Sequence, residues 1–252
     1  MKKIIITAGG TSEKIDNVRK ITNTSSGKLG MTIANKFLSI LPDIEIYYIC
    51  SNDSLRPSDD RVKIIEIEGT KELEEQISLL LKREHIDGFI HSMAVSDYTT
   101  DYVTTISRIK NSIINYTDID DAFKNIEPIG GTKISSHEKD LVIVLKPTPK
   151  IISIIKEVSP STYLVGFKLL DKVPKEELID VAKKLRDKNK CDLVVANDLD
   201  SIRNGEHVGY IIDSNNNISE AHGKEKIADK IVEIMIKKGW LKWIMKEQKK
   251  YL

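Results

Sequence analysis

Ile4-Ile5-Ile6-Thr7-Ala8-Gly9-Gly10-Thr11-Ser12-Glu13 opens the chain, and a polar run through Asp16 and Arg19 leads to Ile21-Thr22-Asn23-Thr24-Ser25-Ser26-Gly27-Lys28-Leu29-Gly30. β-Branched residues running straight into Gly-Gly-Thr make a buried strand of a parallel sheet, ended by a turn that needs positive φ or close backbone approach. An apolar-periodic helix begins near Lys28, with Leu29, Ile33 and Phe37 on one face. The polar run therefore lies at the carboxyl edge of the sheet, where open α/β folds bind ligands. Ser25 or Ser26 could cap the helix while its free N–H groups face outward, so Ser25, Ser26 and Gly27 form a candidate anion site, with Gly9 and Gly10 beside it. As mere punctuation the same residues are a cap and a turn; the long loop carrying Arg19 and Asn23 favours the site.

The periodicity continues outward from this unit. Leu29 to Leu41 is a helix stopped by Pro42, and Ile44 to Cys50 is a second strand. Val62 to Ile67 makes a third strand. Thr70 reads as the cap of a helix whose apolar face is Leu73, Ile77, Leu80 and Leu81, and Asp87 to His91 returns as strand four. Strands alternating with helices predict an α/β fold, a doubly wound, mostly parallel Rossmann-like sheet. Strand four ends in His91-Ser92-Met93-Ala94-Val95-Ser96-Asp97-Tyr98. Asp97 at that position suits a metal ion or a ribose hydroxyl, and equally an N-cap or Asx-turn. No Cys, Ser or carboxylate has a suggestive spacing from His91, which reads as a core or strand-end residue.

From Thr99 to Thr132 the period lapses, which predicts a long loop insertion at about 99–132 with a short helix around Asp120 to Lys124. A polar turn at Lys133-Ile134-Ser135-Ser136 precedes a strand from Leu141 to Leu145 and a helix from Ile151 to Val158, separated by Pro147 and Pro149. Tyr163 to Lys168 is a strand ending in Gly166-Phe167. The helix after Pro174 carries Leu178, Val181, Ala182 and Leu185, and Leu193 to Asp198 is a buried strand ending in Asn197-Asp198. Val208 to Asp213 and the residues around Ile218, joined at Asn215-Asn216-Asn217, predict a C-terminal antiparallel extension closed by a helix from Lys224 to Lys237. Trp240 and Trp243 on the basic tail read as packing or docking the terminus.

The 252 residues suit one domain with a substantial core. A formal net charge of +1 gives no electrostatic case for nucleic acid or a membrane surface, so a small molecule is the expected partner. Cys50 and Cys191 fit no metal spacing and read as buried thiols in a reducing compartment. The N-terminus lacks a signal-type apolar core, and nothing approaches the roughly 20 apolar residues of a membrane span, so a cytoplasmic protein is expected.

The blocks Ile-Thr-Ala-Gly-Gly-Thr-Ser-Glu, Ile-Asp-Asn-Val-Arg and Ile-Thr-Asn-Thr-Ser-Ser-Gly-Lys-Leu-Gly, then Ala94-Val95-Ser96-Asp97-Tyr98, Lys133-Ile134, Val165-Gly166-Phe167 and Val195-Ala196-Asn197-Asp198, resemble the phosphopantothenate–cysteine ligase family. The match runs in the same order over most of the chain, which starts at the ligase's own first strand and so resembles the stand-alone bacterial form. The resemblance implies a single ligase domain over residues 1–252 and a reaction of coenzyme A biosynthesis. In that reaction 4′-phosphopantothenate is activated by CTP as an acyl-nucleotidylate, and cysteine then displaces CMP. It further implies Asn23 at the activated acyl group, Arg19 and Asn23 toward phosphopantothenate, and Lys133 on a mobile loop at the α-phosphate. Gly9, Gly10, Ser25, Ser26 and Gly27 would meet the phosphates. Asp97 would face the nucleotide through ribose or Mg²⁺, Phe167 would flank the base, and Asn197 and Asp198 would lie nearby. Mg²⁺ would be held mainly through nucleotide phosphates with no dedicated protein ligands, and family members are homodimers. Met93, Ser96, Ser135, Ser136 and Lys168 depart from the family's usual residues, and the stretch between Asp97 and Lys133 is long.

Two other readings compete. A nicotinamide-dependent reductase of the short-chain type calls for Gly-x-Gly-x-x-Gly, an acid after strand two and Tyr-x-x-x-Lys, whereas the chain has Gly9-Gly10-Thr11 and Cys50-Ser51. A non-catalytic nucleotide-binding subunit would keep the fold without needing both Asn23 and Lys133.

Overall fold

A computed structural model describes residues 1–237; Trp240 and Trp243 lie outside the described residues. Strand β1 (Lys2–Ala8) is followed by a short antiparallel hairpin, β2 (Ser12–Lys14) and β3 (Lys20–Thr22), inside what reads from sequence as an unbroken loop. Helix α1 (Lys28–Ile40) returns to β4 (Ile44–Cys50), then come β5 (Val62–Glu66), α2 (Thr70–Arg83) and β6 (Gly88–His91). The segment expected as a loop at about 99–132 with one short helix around Asp120 to Lys124 carries that helix and, in addition, a strand and a longer helix. β7 (Tyr98–Thr105), α3 (Ile106–Asn115) and α4 (Ile119–Lys124) lead to β8 (Leu141–Pro147), which pairs antiparallel with β7 in a ribbon separate from the main sheet. The remainder is α5 (Ile151–Val158), β9 (Tyr163–Leu170), α6 (Lys175–Asn189), β10 (Leu193–Asp198), α7 (Leu199–Arg203), β11 (Val208–Asp213), β12 (Ile218–His222) and α8 (Gly223–Met235).

Eight strands form the central sheet in the order β12-β11-β10-β9-β6-β1-β4-β5. All pairs from β5 to β10 are parallel, and β11 and β12 add the antiparallel extension expected from sequence. One core fills the face under α1 and α8, around Ile4, Ile6, Phe37, Tyr48 and Ile231; the other lies under α2, α5 and α6, around Ile5, Leu73, Phe89 and Leu164. β1 contributes to both because alternate residues of a strand point to opposite faces. Each fully buried Ile or Phe contributes about 1.5–3 kcal/mol relative to exposure. No helix among the described residues is long and apolar enough to cross a membrane.

Helix starts differ from the sequence reading in an informative way. The N-cap of α1 is Gly27 in the left-handed region, with no side-chain cap bond, rather than Ser25 or Ser26. No side chain caps the first turn at the sheet's carboxyl edge beyond a long bond from the Lys28 N–H to Ser26 Oγ at 3.4 Å. Thr70 is the first residue of α2, not its cap. Its N–H and hydroxyl both donate to the buried Glu13 carboxylate, at 2.8 and 2.7 Å, which ties the first loop to a helix 57 residues away.

His91 closes β6 as a buried residue, its Nδ1 2.9 Å from Thr7 Oγ1. Burial pulls its pKa down to about 4, against an ordinary value of 6.5. The unfolded chain therefore binds the proton more readily between those values, and stability is expected to fall as pH drops from about 6.5 toward 4. In denaturant titrations across that window, His91→Asn should flatten the pH slope, by up to about 1.4 kcal/mol per pH unit and on the order of 3 kcal/mol in total. An unchanged slope would show that His91 charges freely in the native state.

Candidate active site

The order of strands reverses at β1, whose neighbours are β6 on one side and β4 on the other. At that crevice the segments after β1 and β6 are zipped together. Ala94 N–H donates to Gly9 O at 2.9 Å, Thr11 N–H to Ala94 O at 3.1 Å, and Ser96 N–H to Thr11 Oγ1 at 2.8 Å. Asn23 lies across this platform, its N–H donating to Thr11 O at 3.1 Å. A Cβ on Gly10 would fall 1.7 Å from the Asn23 carbonyl oxygen, so only glycine lets the two backbones cross. Gly9, at φ +86°, faces the loop after β4: a Cβ there would fall 1.9 Å from Ser54 Oγ. Leu55 N–H donates to Ser26 O at 3.0 Å, locking that loop against the start of α1. Gly9, Gly10, Asn23, Ser25, Ser26 and Gly27 thus meet at one helix N-terminus, whose dipole and unpaired N–H groups favour an anion.

Asp16 joins a distant loop to this platform. Its side chain is only 2 % exposed. Oδ2 accepts from Ile134 N–H at 3.1 Å and from Arg19 Nη1 at 3.3 Å, while Oδ1 accepts from the Val18 and Arg19 N–H groups at 2.8 and 2.7 Å. Arg19 Nη2 donates to Ile134 O at 3.3 Å, and Asn17 N–H to Thr132 O at 3.0 Å. The N–H bond from Ile134, followed by that from Val18, holds the Asp16 carboxyl below the usual carboxylate range. Lys133, exposed between Thr132 and Ile134, is thereby carried to the Arg19 end of the first loop.

Asp97 opens on the α5–α6 face. It pairs with Lys150 at 2.5 Å at the mouth of a cavity of about 570 Å³, which Lys168, Lys184 and Lys188 also line. Phe167 is on the other face of β9, packed half-buried against the core under α1 and α8. Asn197 is buried, and its Oδ1 has no hydrogen-bond partner. Asp198 accepts from Lys172 N–H at 2.9 Å and lines a separate cavity of about 300 Å³ with Asp200 and Glu206. β9 and β10 are two and three strands from β1, or about 10 and 14 Å along the edge. Phe167, Asn197 and Asp198 therefore sit apart from the Asn23 platform.

Five residues, in three groups, are not singled out as site candidates from sequence. Lys184 and Lys188, one helical turn apart beside the apolar Val181 and Leu185, had an i,i+4 signal of a basic face that passes for a solvated helix surface. Ser51 and Ser54 follow the second parallel strand directly, a position that by itself marks the ligand edge. Asp16 carries no local signal for its partner, Ile134.

The chain is similar to the coenzyme A biosynthesis bifunctional protein CoaBC of Thermococcus kodakarensis, 36% identical over 82% of this chain and 43% of the relative. It is also similar to the protein of the same description from Methanocaldococcus jannaschii, 27% identical over 92% of this chain and 49% of the relative. The chain thus spans about half the length of the curated relatives it matches. A crystal structure of the DNA/pantothenate metabolism flavoprotein from Streptococcus pneumoniae superposes with a TM-score of 0.82 at 37% identity, covering 93% of this chain and 98% of that one. With the family model matched over residues 1–126 and 124–238, the chain belongs to the family described as the DNA/pantothenate metabolism flavoprotein C-terminal domain.

Proposed function

We propose that the chain is a ligase of coenzyme A biosynthesis that joins 4′-phosphopantothenate to cysteine, with CTP converted to CMP and pyrophosphate. The observation that carries this reading is the Asp16 clamp, which sets the Lys133 loop against the loop that bears Arg19 and Asn23. A cation, an amide donor and an anion-binding helix start then share one edge, the combination that carboxylate activation requires. The membership of the pantothenate family and the names of the relatives point the same way.

In the first step a carboxylate oxygen of phosphopantothenate attacks the α-phosphorus, the bond to the β-phosphate oxygen breaks, and pyrophosphate leaves. Lys133 offsets the charge that accumulates at the α-phosphate, and the N–H groups around Ser25, Ser26 and Gly27, with the Gly9–Gly10 turn, hold the remaining phosphates. In the second step the cysteine amine attacks the acyl carbon, CMP departs and the amine loses a proton. The Asn23 amide donates to the carbonyl oxygen as it becomes an oxyanion. Arg19 steers the anionic end of phosphopantothenate. Asp97, with Lys150, Lys168, Lys184 and Lys188, frames the nucleotide cavity, and Phe167 would flank the base with Asn197 and Asp198 on the next strand nearby. No group of three His, Cys, Asp or Glu among the described residues is spaced to hold a metal. A Mg²⁺ would be held mainly by the nucleotide's phosphates with no dedicated protein ligand, and Asp97 would face the nucleotide through its ribose or through that ion. Such an ion supplies further neutralisation of phosphate charge.

The test is direct: the protein, phosphopantothenate, cysteine, Mg²⁺ and each nucleoside triphosphate, followed for pyrophosphate and nucleoside monophosphate. CTP is expected to be the preferred substrate, and absence of the amide with every triphosphate would refute the reading. Lys133→Ala should slow pyrophosphate release about 10²-fold or more, as expected on removing a charge that acts at the transition state. Release at the wild-type rate would exclude Lys133 from the first step.

The same reading makes the protein a cytoplasmic homodimer. Cys50 and Cys191 are unpaired thiols, consistent with a reducing compartment. The β7–β8 ribbon exposes Leu141, Ile143 and Leu145 on one face, and α3 and α4 expose Ile114, 80 % accessible, with Ile119 and Phe123. Exposed apolar side chains on one arm support an interface there. Light scattering should give a dimer for the native chain and a monomer for Ile114→Asp combined with Phe123→Asp; a dimer that survives both substitutions would place the interface elsewhere.

A further inference from the structure

We propose that Ser51 is a side-chain donor to the bound polyphosphate and that Ser54 is the residue that positions it. The proposal rests on reading the α1 start as the triphosphate cradle. Ser51 Oγ and Ser54 Oγ are 2.6 Å apart. Ser54 is buried and Ser51 is half-exposed, so the pair runs from the interior outward at the Gly9 turn. A Cβ on Gly9 would meet both hydroxyls, at 1.9 and 2.4 Å, which puts them directly over the backbone that a ligand would approach.

The two hydroxyls carry two protons, and their mutual bond uses one. If Ser51 donates to Ser54, the second proton goes to Ala8 O, 3.5 Å from Ser54 Oγ, at the limit of a hydrogen bond. If Ser54 donates to Ser51, the second proton is free to point out of the protein toward the cradle. Reversal therefore forfeits only that 3.5 Å bond to Ala8 O, and a hydroxyl that already accepts a hydrogen bond is a stronger donor. An anion held at the Gly9 turn, where Ser51 Oγ lies, favours the reversed state. The backbone keeps Ser51 in place for this: Ser54 N–H donates to Ser51 O at 3.0 Å, and Leu55 N–H to Ser26 O at 3.0 Å. Tyr48, whose hydroxyl donates to Leu55 O at 3.0 Å, holds the far end of the turn.

The experiment titrates inorganic tripolyphosphate into the full chain by calorimetry, which requires no turnover. Ser51→Ala should raise Kd about tenfold, as for loss of one hydrogen bond to a charged group, while Ser51→Thr, which keeps the hydroxyl, should stay within about threefold. Ser54→Ala should weaken binding by an intermediate factor, because Ser51 keeps its proton but loses its partner. In the ligase assay the KM for CTP should rise in parallel, with a smaller change in kcat and none in the KM for phosphopantothenate. Wild-type affinity in Ser51→Ala, equal loss in Ser51→Thr, or no binding to the native chain would each overturn the proposal. A native chain that binds tripolyphosphate but forms no amide would refute the ligase reading and leave Ser51 to be judged by Kd alone.

Discussion

Asn23→Asp is expected to stall the protein after the first half-reaction, with pyrophosphate released and acyl-cytidylate accumulating while the amide forms about 10²–10³-fold more slowly. The substitution keeps the size of the side chain and the Asn23 N–H bond to Thr11 O, so the platform itself should survive. What changes is the sign of the interaction at the acyl oxygen. An amide N–H₂ donates to a developing oxyanion, whereas a carboxylate repels it and accepts where a donor is needed. Rapid quenching and chromatography of the acid-stable nucleotides distinguish the two half-reactions. Equal slowing of pyrophosphate release and amide formation would mean that Asn23 acts before the intermediate exists, and unchanged turnover would remove it from the mechanism.

Gly10→Ala should be a severely damaging single methyl group. Its Cβ would lie 1.7 Å from the Asn23 carbonyl oxygen and 2.8 Å from the carbonyl carbon, and both are backbone atoms. Neither side can yield cheaply, since Gly10 is bridged to Ala94 and the Asn23 N–H is bonded to Thr11 O. The chain must therefore lift Asn23 off the platform, at a cost of about 1–3 kcal/mol in stability and with loss of nearly all amide formation. Denaturant unfolding and the ligase assay read the two effects separately. Gly130→Ala is the stability control, because a Cβ there meets nothing within 4 Å. Wild-type stability and activity in Gly10→Ala would show that the crossing of the 10 and 23 backbones is not as tight as described.

The parts of the fold that were legible from sequence are those whose signal is short in range. Ile44–Cys50 and Leu193–Asp198 read as strands and fold as strands with those bounds, because β-branched runs closed by turn residues are a local pattern. The antiparallel pair β11–β12 was announced by the Asn215-Asn216-Asn217 turn. In the β7–β8 arm, strand β8 and the short helix α4 were expected from sequence, whereas β7 and α3 were not legible. Its strands form a two-stranded ribbon with much of each strand exposed, so no buried stripe imposes a period on residues 98–105, and the exposed α3 buries only Ser112. Thr70 was misread for a related reason: a threonine before an apolar periodic run carries a cap's local signature, and the carboxylate that does the work is Glu13.

By itself, then, the amino-acid order determined the doubly wound sheet, its antiparallel tail and the Gly9–Gly10 and Ser25–Gly27 turns at the ligand edge. Periodicity, glycine conformation and helix punctuation act between residues a few positions apart and leave a readable trace there. Only the tertiary structure decided that Lys133 is held beside Arg19, that Ser54 wedges against Gly9, and that Asp97 opens on the opposite face of the sheet from Phe167. Those outcomes depend on Asp16 meeting the Ile134 N–H across 118 residues and on which strands become neighbours. Contacts of that kind are fixed by the packing of the whole sheet and its two cores, and no short stretch of the chain encodes them.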